Sequence, residues 1–230
     1  MTNETKNALV VGASRGLGLG LVQELASRGW QVTATARDLA KATGLRDLPK
    51  NVKLETIDID DSASVDALAQ RLSGQSFDVV FINAGIIGPQ HNSADRATAE
   101  ELGHLFATNS VSPIRLARKL VSTVKTGTGI LAFMSSGMGS VSDNTTGGME
   151  LYRASKAALN SLIHSFAVGL DDKKLTVLSV NPGWVRTDMG GENAPLDVAT
   201  SSRGTADMLE KRAGTGGVSF VDYQNEELPW

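Results

Sequence analysis

Tyr152 and Lys156 stand four residues apart in Leu151-Tyr152-Arg153-Ala154-Ser155-Lys156. On a helix, that spacing puts a phenol and an ammonium on one face, a turn apart. Such a pair suits proton exchange, because a neighbouring cation stabilises the phenolate and lowers a pKa that is about 10 in solution. Near the start of the chain, Gly12-Ala13-Ser14-Arg15-Gly16-Leu17-Gly18 follows a short apolar run. A turn of small residues between a strand and a helix can bring a dinucleotide pyrophosphate onto the helix N-terminus. The spacing is Gly-x-x-x-Gly-x-Gly rather than the commoner Gly-x-Gly-x-x-Gly, and such a turn alone can simply join two elements. Together, the two features point to a nicotinamide-dependent oxidoreductase.

Short β-branched apolar runs alternate with segments of helical period. Ala8–Val11, Gln31–Ala36, Val52–Ile57, Phe77–Ile82, Ile130–Met134, Thr176–Val180 and Val218–Val221 read as strands. Val22/Leu25/Ala26, Val65/Leu68/Ala69/Leu72, Leu116/Leu120 and Leu159/Leu162/Ile163/Phe166/Leu170 repeat at three- and four-residue spacing, as core-facing helix stripes do. This alternation predicts a doubly wound α/β fold of the Rossmann type, with a parallel sheet of about seven strands covered on both faces. No linker or repeat divides residues 1–230, so one domain is expected. Gly137–Met149 reads as a loop after a strand, where ligands bind in such sheets. Gly190–Ser202 reads as a short polar cover before a helix at Arg203–Arg212.

A formal net charge of −3 offers no basic excess for nucleic acid. The polar segment Met1–Asn7 lacks the apolar core of a signal peptide, and no apolar run reaches the roughly 18 residues of a membrane span. No membrane association and a cytoplasmic location are expected. The chain has no cysteine, which excludes disulfides and thiolate chemistry. His91, His104 and His164 lack metal-ligand spacing, so no metal is assigned.

The end of the second strand reads Ala34-Thr35-Ala36-Arg37-Asp38. NAD-binding folds place an acid there for the ribose 2′-hydroxyl. Here Ala36 takes that place beside Arg37, whose guanidinium would meet a 2′-phosphate, and Arg15 can reach the same phosphate. NADPH is therefore favoured over NADH, with Asp38 left as a group that could still turn toward the ribose.

In order along the chain, Gly12–Gly18, Asp58, Asn83-Ala84-Gly85, Asn109, Ser136, Tyr152, Lys156, Asn181-Pro182-Gly183 and Thr187 resemble the short-chain dehydrogenase/reductase family. The run Pro182-Gly183-Trp184-Val185-Arg186-Thr187-Asp188-Met189-Gly190-Gly191 and the ending Glu227-Leu228-Pro229-Trp230 look most like its C-factor-like and small carbonyl-reductase branch. The resemblance implies that Asp58 and Ile59 contact the adenine and Asn83, Ala84 and Gly85 lie by the adenosine ribose. It also implies that Pro182, Gly183, Val185 and Thr187 hold the nicotinamide end, while Lys156 bonds the nicotinamide ribose. Tyr152 would be the general acid/base and Ser136 the donor to the substrate oxygen, with Ser135 as its alternative. Asn109 would hold a water against Lys156. The implied activity is NADPH-dependent carbonyl reduction, or alcohol oxidation in reverse, of a small-molecule ketone or aldehyde. A cofactor-binding signalling or regulatory protein is the alternative. The resemblance also implies a homodimer or homotetramer associating through Ser110–Lys125 and Leu151–Leu170. Met138, Val141, Met149 and Trp184 are candidates for an apolar substrate wall.

Overall fold

The computed structural model describes residues 5–230; the first four residues of the polar segment Met1–Asn7 lie outside them. Seven strands form one sheet: β1 Asn7–Val11, β2 Gln31–Ala36, β3 Val52–Thr56, β4 Val79–Ile82, β5 Ile130–Met134, β6 Thr176–Asn181 and β7 Gly217–Asp222. The order is β3-β2-β1-β4-β5-β6-β7 and every pairing is parallel. All seven expected strands are present. The fourth is shorter than the sequence suggests, because Phe77 pairs with Val124 as an isolated bridge outside it.

The two-residue period of the strands sorts their side chains between two cores. Ala8 and Val10 of β1, Val79 and Phe81 of β4, and Ile130 and Ala132 of β5 face one cluster, shared with helices α1 (Gly16–Ser27) and α6 (Val198–Arg212). Leu9 and Val11, Val80 and Ile82, and Leu131 and Phe133 face the other, shared with α2 (Ser62–Arg71), α4 (Ser112–Leu120) and α5 (Glu150–Val168). Each fully buried Leu, Ile or Phe contributes about 1.5–3 kcal/mol, and burial on both faces explains the near-continuous apolar strands. Among the described residues, no helix is long and apolar enough to cross a membrane.

The helix expected at Arg203–Arg212 begins earlier, at Val198, because the Asp197 side chain accepts from the Thr200 N–H at 2.7 Å and caps it. Asp61 caps α2, and Thr98 forms a capping box with Glu101 at the start of α3 (Ala99–Phe106). Helix α5, which carries Tyr152 and Lys156, differs: its N-cap position is Met149, at φ 50, with no side-chain cap. Asn109, expected in a helical segment, lies in a π-turn at Ala107–Val111 between α3 and α4.

Strand order reverses between β1 and β4, so their C-terminal ends diverge into a crevice. Gly12 follows β1 and Asn83-Ala84-Gly85 follow β4. Ser136 lies beyond β5 and Pro182-Gly183 beyond β6, all at the same edge of the sheet.

Candidate active site

The glycine turn is held by its neighbours rather than by its own bonds. Gly12 has φ +85, and a Cβ there would lie 2.8 Å from the Ala84 backbone nitrogen. A Cβ on Gly18 would strike the Gly12 carbonyl and lie 2.6 Å from Asn83 Nδ2. Asn83 Nδ2 in turn donates to the Gly12 carbonyl at 2.7 Å. The turn therefore packs directly on the Asn83-Ala84-Gly85 segment, and only glycine fits at either position. Leu17 packs on the first core, while Ser14 is half-buried. On the other side, Gly16 lies against Thr187, since a Cβ there would be 3.5 Å from its methyl group.

Two arginines flank this crevice. Arg37 is exposed and makes no ion pair or side-chain hydrogen bond among the described residues. Asp38 is occupied otherwise: it bonds Lys41 at 3.2 Å, accepts from the Ala40 N–H at 2.9 Å, and is held below the usual carboxylate range, with the Lys41 bond as the largest cause. Arg15, expected to act beside Arg37, pairs with Asp188 of the 184–190 loop. The Asp58 N–H bonds Ser64, and Asp58 Oδ1 accepts from the Asp60 N–H. The Ile59 side chain is buried in the second core, leaving its main chain for any ring contact.

At the opposite end of the crevice, Tyr152 and Lys156 lie one turn apart on the buried face of α5. The Lys156 ammonium is 5.9 Å from the Tyr152 ring centre and donates to the Met134 carbonyl at 3.0 Å. The Ser136 side chain faces the Tyr152 phenol and favours its ionised form. Burial dominates both titrations. It pushes the phenol up to about 12, with Ser136 pulling the other way, and pushes the Lys156 ammonium down to about 8. Removal of solvent is the largest influence on the phenol.

Asn109 is fully buried. Its Oδ1 accepts from the Ile86 N–H at 2.8 Å, and its Nδ2 donates to the Ile86 carbonyl at 2.8 Å and to Ser155 Oγ at 3.0 Å. It clamps the segment after Gly85 to the middle of the Tyr152–Lys156 turn, and Gly85 sits where a Cβ would be 3.3 Å from Asn109 Oδ1 and 3.4 Å from Lys156 Nζ. Its side chain thus acts as a structural brace on the lysine's surroundings, beyond the water-holding role first implied.

The two candidate serines separate clearly. Ser136 Oγ accepts from the Met138 N–H at 3.1 Å as the cap of a short turn at Gly137–Gly139, and it faces Tyr152. Ser135 is buried and donates to Asn160 Oδ1 at 2.7 Å. The same oxygen accepts from Ser179 Oγ at 2.7 Å, while Asn160 Nδ2 donates to the Gly139 carbonyl at 3.3 Å. Asn160, one turn beyond Lys156, therefore ties β5, β6 and the Ser136 turn together. Sequence reasoning missed it, although its spacing from Lys156 places it on the same face. Asn160→Leu would leave two buried hydroxyls without an acceptor, and urea denaturation should show a loss of about 2–5 kcal/mol.

Asn181 Oδ1 accepts from the Gly183 N–H at 3.1 Å, and the Pro182 carbonyl accepts from Ser201 Oγ at 2.7 Å. Val185 is buried and pairs with Leu196, and Thr187 Oγ1 accepts from the Gly190 N–H at 3.0 Å. Arg186 bonds the carbonyls of Ala194 and Pro195, so the 190–197 segment is stapled down. Met138, Val141, Trp184 and Met189 stand exposed on these loops. Met149 is only half-buried, at the left-handed entry to α5. The chain's end reinforces the wall: Trp230 packs on Phe220 and His164, and its carbonyl accepts from Ser142 Oγ at 3.1 Å. Among the described residues no cluster of three metal-ligating side chains occurs.

The arrangement has clear relatives. A carbonyl reductase from Pseudomonas aeruginosa PAO1, solved in complex with NADP, is 41% identical with a TM-score of 0.92, covering 99% of this chain and 100% of that one. A short-chain dehydrogenase/reductase from Burkholderia multivorans with bound NADP is 38% identical with a TM-score of 0.94, covering 98% and 100%. C-signal of Myxococcus xanthus is 33% identical over 165 residues, which are 71% of this chain and 99% of that protein. The short chain dehydrogenase family model matches residues 6–196. With six of the seven strands, the glycine turn and the Tyr152–Lys156 helix inside that match, the chain belongs to the short-chain dehydrogenase/reductase family of oxidoreductases.

Proposed function

We propose that this chain is an NADPH-dependent carbonyl reductase of one domain, acting on a ketone or aldehyde. The observation that carries the reading is the pair of Tyr152 and the buried Lys156 ammonium one turn apart on the inner face of α5, with the Ser136 side chain facing the phenol. A dinucleotide suits the crevice: the glycine turn opens α1, whose N-terminus can meet a pyrophosphate, and Arg37 has no ion-pair partner among the described residues where a 2′-phosphate would fall.

A bound reduced nicotinamide supplies hydride to the carbonyl carbon. The chain's own residues handle the oxygen. Ser136 donates a hydrogen bond to it, stabilising the charge that grows there as the carbonyl π pair becomes an alkoxide lone pair. Tyr152 then gives up its phenolic proton, forming the alcohol O–H and leaving a phenolate. A phenol pushed up to about 12 is fully protonated at neutral pH, so the donor is loaded before reaction. The Lys156 charge compensates the phenolate as it forms. The structurally similar NADP complexes support the cofactor, and the pairing of Asp38 with Lys41 supports the preference for NADPH over NADH.

Fluorescence titration with NADPH and NADH, followed by absorbance at about 340 nm with a panel of ketones, aldehydes and quinones, tests this reading. Arg37→Ala should weaken NADPH roughly 10- to 100-fold and leave NADH nearly unchanged, as expected for loss of one charge-assisted bond. Equal losses for both cofactors would remove Arg37 from 2′-phosphate recognition. A second reading, a cofactor-binding signalling protein with little turnover, draws on the similarity to C-signal. Cofactor binding without turnover of any panel member would favour it.

A further inference from the structure

The helix that carries Tyr152 starts without a cap of its own. The chain enters it through Gly147, Gly148 and Met149, all at positive φ, and Met149 has no side chain to offer the first turn. The first N–H groups of a helix still need partners. The Tyr152 N–H finds one far upstream in sequence: it donates to Asn92 Oδ1 at 2.9 Å. Asn92 is 6% exposed and holds φ 49, a left-handed conformation that Asn tolerates better than most residues. Its Nδ2 donates to the Ile87 carbonyl at 2.9 Å. Next to it, the Ala94 N–H donates to Glu150 Oε2 at 2.8 Å, a second tie between the same loop and the same helical turn.

These bonds complete a frame. Asn109 holds Ile86 against Ser155, while Asn92 holds Ile87 against Tyr152. The segment after Gly85 is thereby fixed at two successive residues to two points on one helical turn. Neither asparagine needs to touch the reacting atoms to set where the phenol stands.

We infer that Asn92 is a positioning residue for the reaction: its carboxamide caps α5 from outside the helix, and so sets the position of the Tyr152 phenol relative to Ser136. The inference rests on the reading of Tyr152 as proton donor. Losing the tie lets the first turn of α5 fray, and a displacement of about an ångström at a reacting group can cost a hundredfold in rate.

Three substitutions separate side chain from backbone. Asn92→Ala removes the carboxamide, Asn92→Gly removes it while favouring the left-handed backbone, and Asn92→Asp keeps an acceptor for the Tyr152 N–H but loses the donor to Ile87. Each is assayed with NADPH and 9,10-phenanthrenequinone for kcat and KM, for NADPH affinity by fluorescence, and for amide hydrogen exchange across residues 150–156. Ala and Gly should lower kcat roughly 10- to 100-fold with NADPH affinity within about twofold, and Tyr152 amide exchange should quicken about tenfold. Asp should recover kcat to within about fivefold of the parent. An Asn92→Gly protein with parental kcat and exchange would overturn the inference, as would an Asp variant as slow as Ala, which would assign the effect to the Ile87 bond. Tyr152→Phe run alongside distinguishes the two levels. Turnover surviving in it overturns the reading of Tyr152 and this inference with it, whereas its loss beside a fully active Asn92→Gly overturns this inference alone. The exchange measurement needs no turnover and reads the cap directly.

Discussion

Tyr152→Phe is expected to lower kcat by roughly 10²- to 10⁴-fold while leaving NADPH affinity within about twofold and the fold intact. The Ser136 side chain faces the phenol, and the ring is buried on the inner face of α5. Phenylalanine keeps the ring and its packing and removes the proton, so the loss falls on the chemical step alone. Because the phenol is neutral in the folded protein, its removal uncovers no buried charge, and stability should change by no more than about 1 kcal/mol. Single-turnover absorbance at about 340 nm separates the step from binding. Turnover within about fivefold of the parent enzyme would show that another group delivers the proton. Conversely, a cellular role that persists in this variant would favour the signalling reading over an obligatory reductase.

The sheet was legible because β1, β4 and β5 are buried on both faces and read as short β-branched runs, and because parallel pairing demands the helices found between them. The helix stripes were legible for the same reason: Leu159, Ile163 and Phe166 lie on one face of α5 at helical spacing. Element ends were harder. The start of α6 was hidden in Val198-Ala199-Thr200-Ser201-Ser202, where weak helix formers obscure an Asp197 cap that only the fold makes decisive. The site was legible as far as residue type and spacing reach, since Tyr152 and Lys156 share a helical face in any register. Its electrostatics were not, because the depth at which a phenol is buried depends on every element packed around it. The same holds for Arg15, whose partner Asp188 lies on a different loop, and for Asn92, whose bond to Tyr152 crosses from one loop to a distant helix. Asn160 was within reach of a periodicity argument, as it follows Lys156 by one turn, but its two serine partners come from β5's end and β6.

Lys156→Met should move activity and stability in opposite directions. The ammonium is 3% exposed and is pushed down from an ordinary 10.5 to about 8 by burial. That depression corresponds to about 3 kcal/mol of unfavourable burial at neutral pH, partly offset by the bond to the Met134 carbonyl. Methionine has a similar reach and no charge, so the variant should be more stable than the parent by about 1–2 kcal/mol at pH 7. The pH dependence carries the sign. As pH falls from about 10.5 toward 8, the unfolded chain takes up the lysine proton before the folded one does, and the parent loses stability across that window. Below it, both states are protonated and the deficit is constant. The advantage of Lys156→Met should therefore be full at pH 7 and gone or reversed by pH 10, where the parent has regained about 2.5 kcal/mol, as read from urea denaturation at the two values. Activity should fall roughly 10²- to 10³-fold, because the phenolate left by Tyr152 would form with no cation beside it. In the parent enzyme, reduction should likewise decline above about pH 8, as the lysine discharges. A variant less stable than the parent at pH 7 would mean that the Met134 bond outweighs the cost of the buried charge. A variant with undiminished turnover would take Lys156 out of the chemistry. A stabilised but inactive protein would show that this helix holds a charge at the expense of the fold because the reaction needs it there.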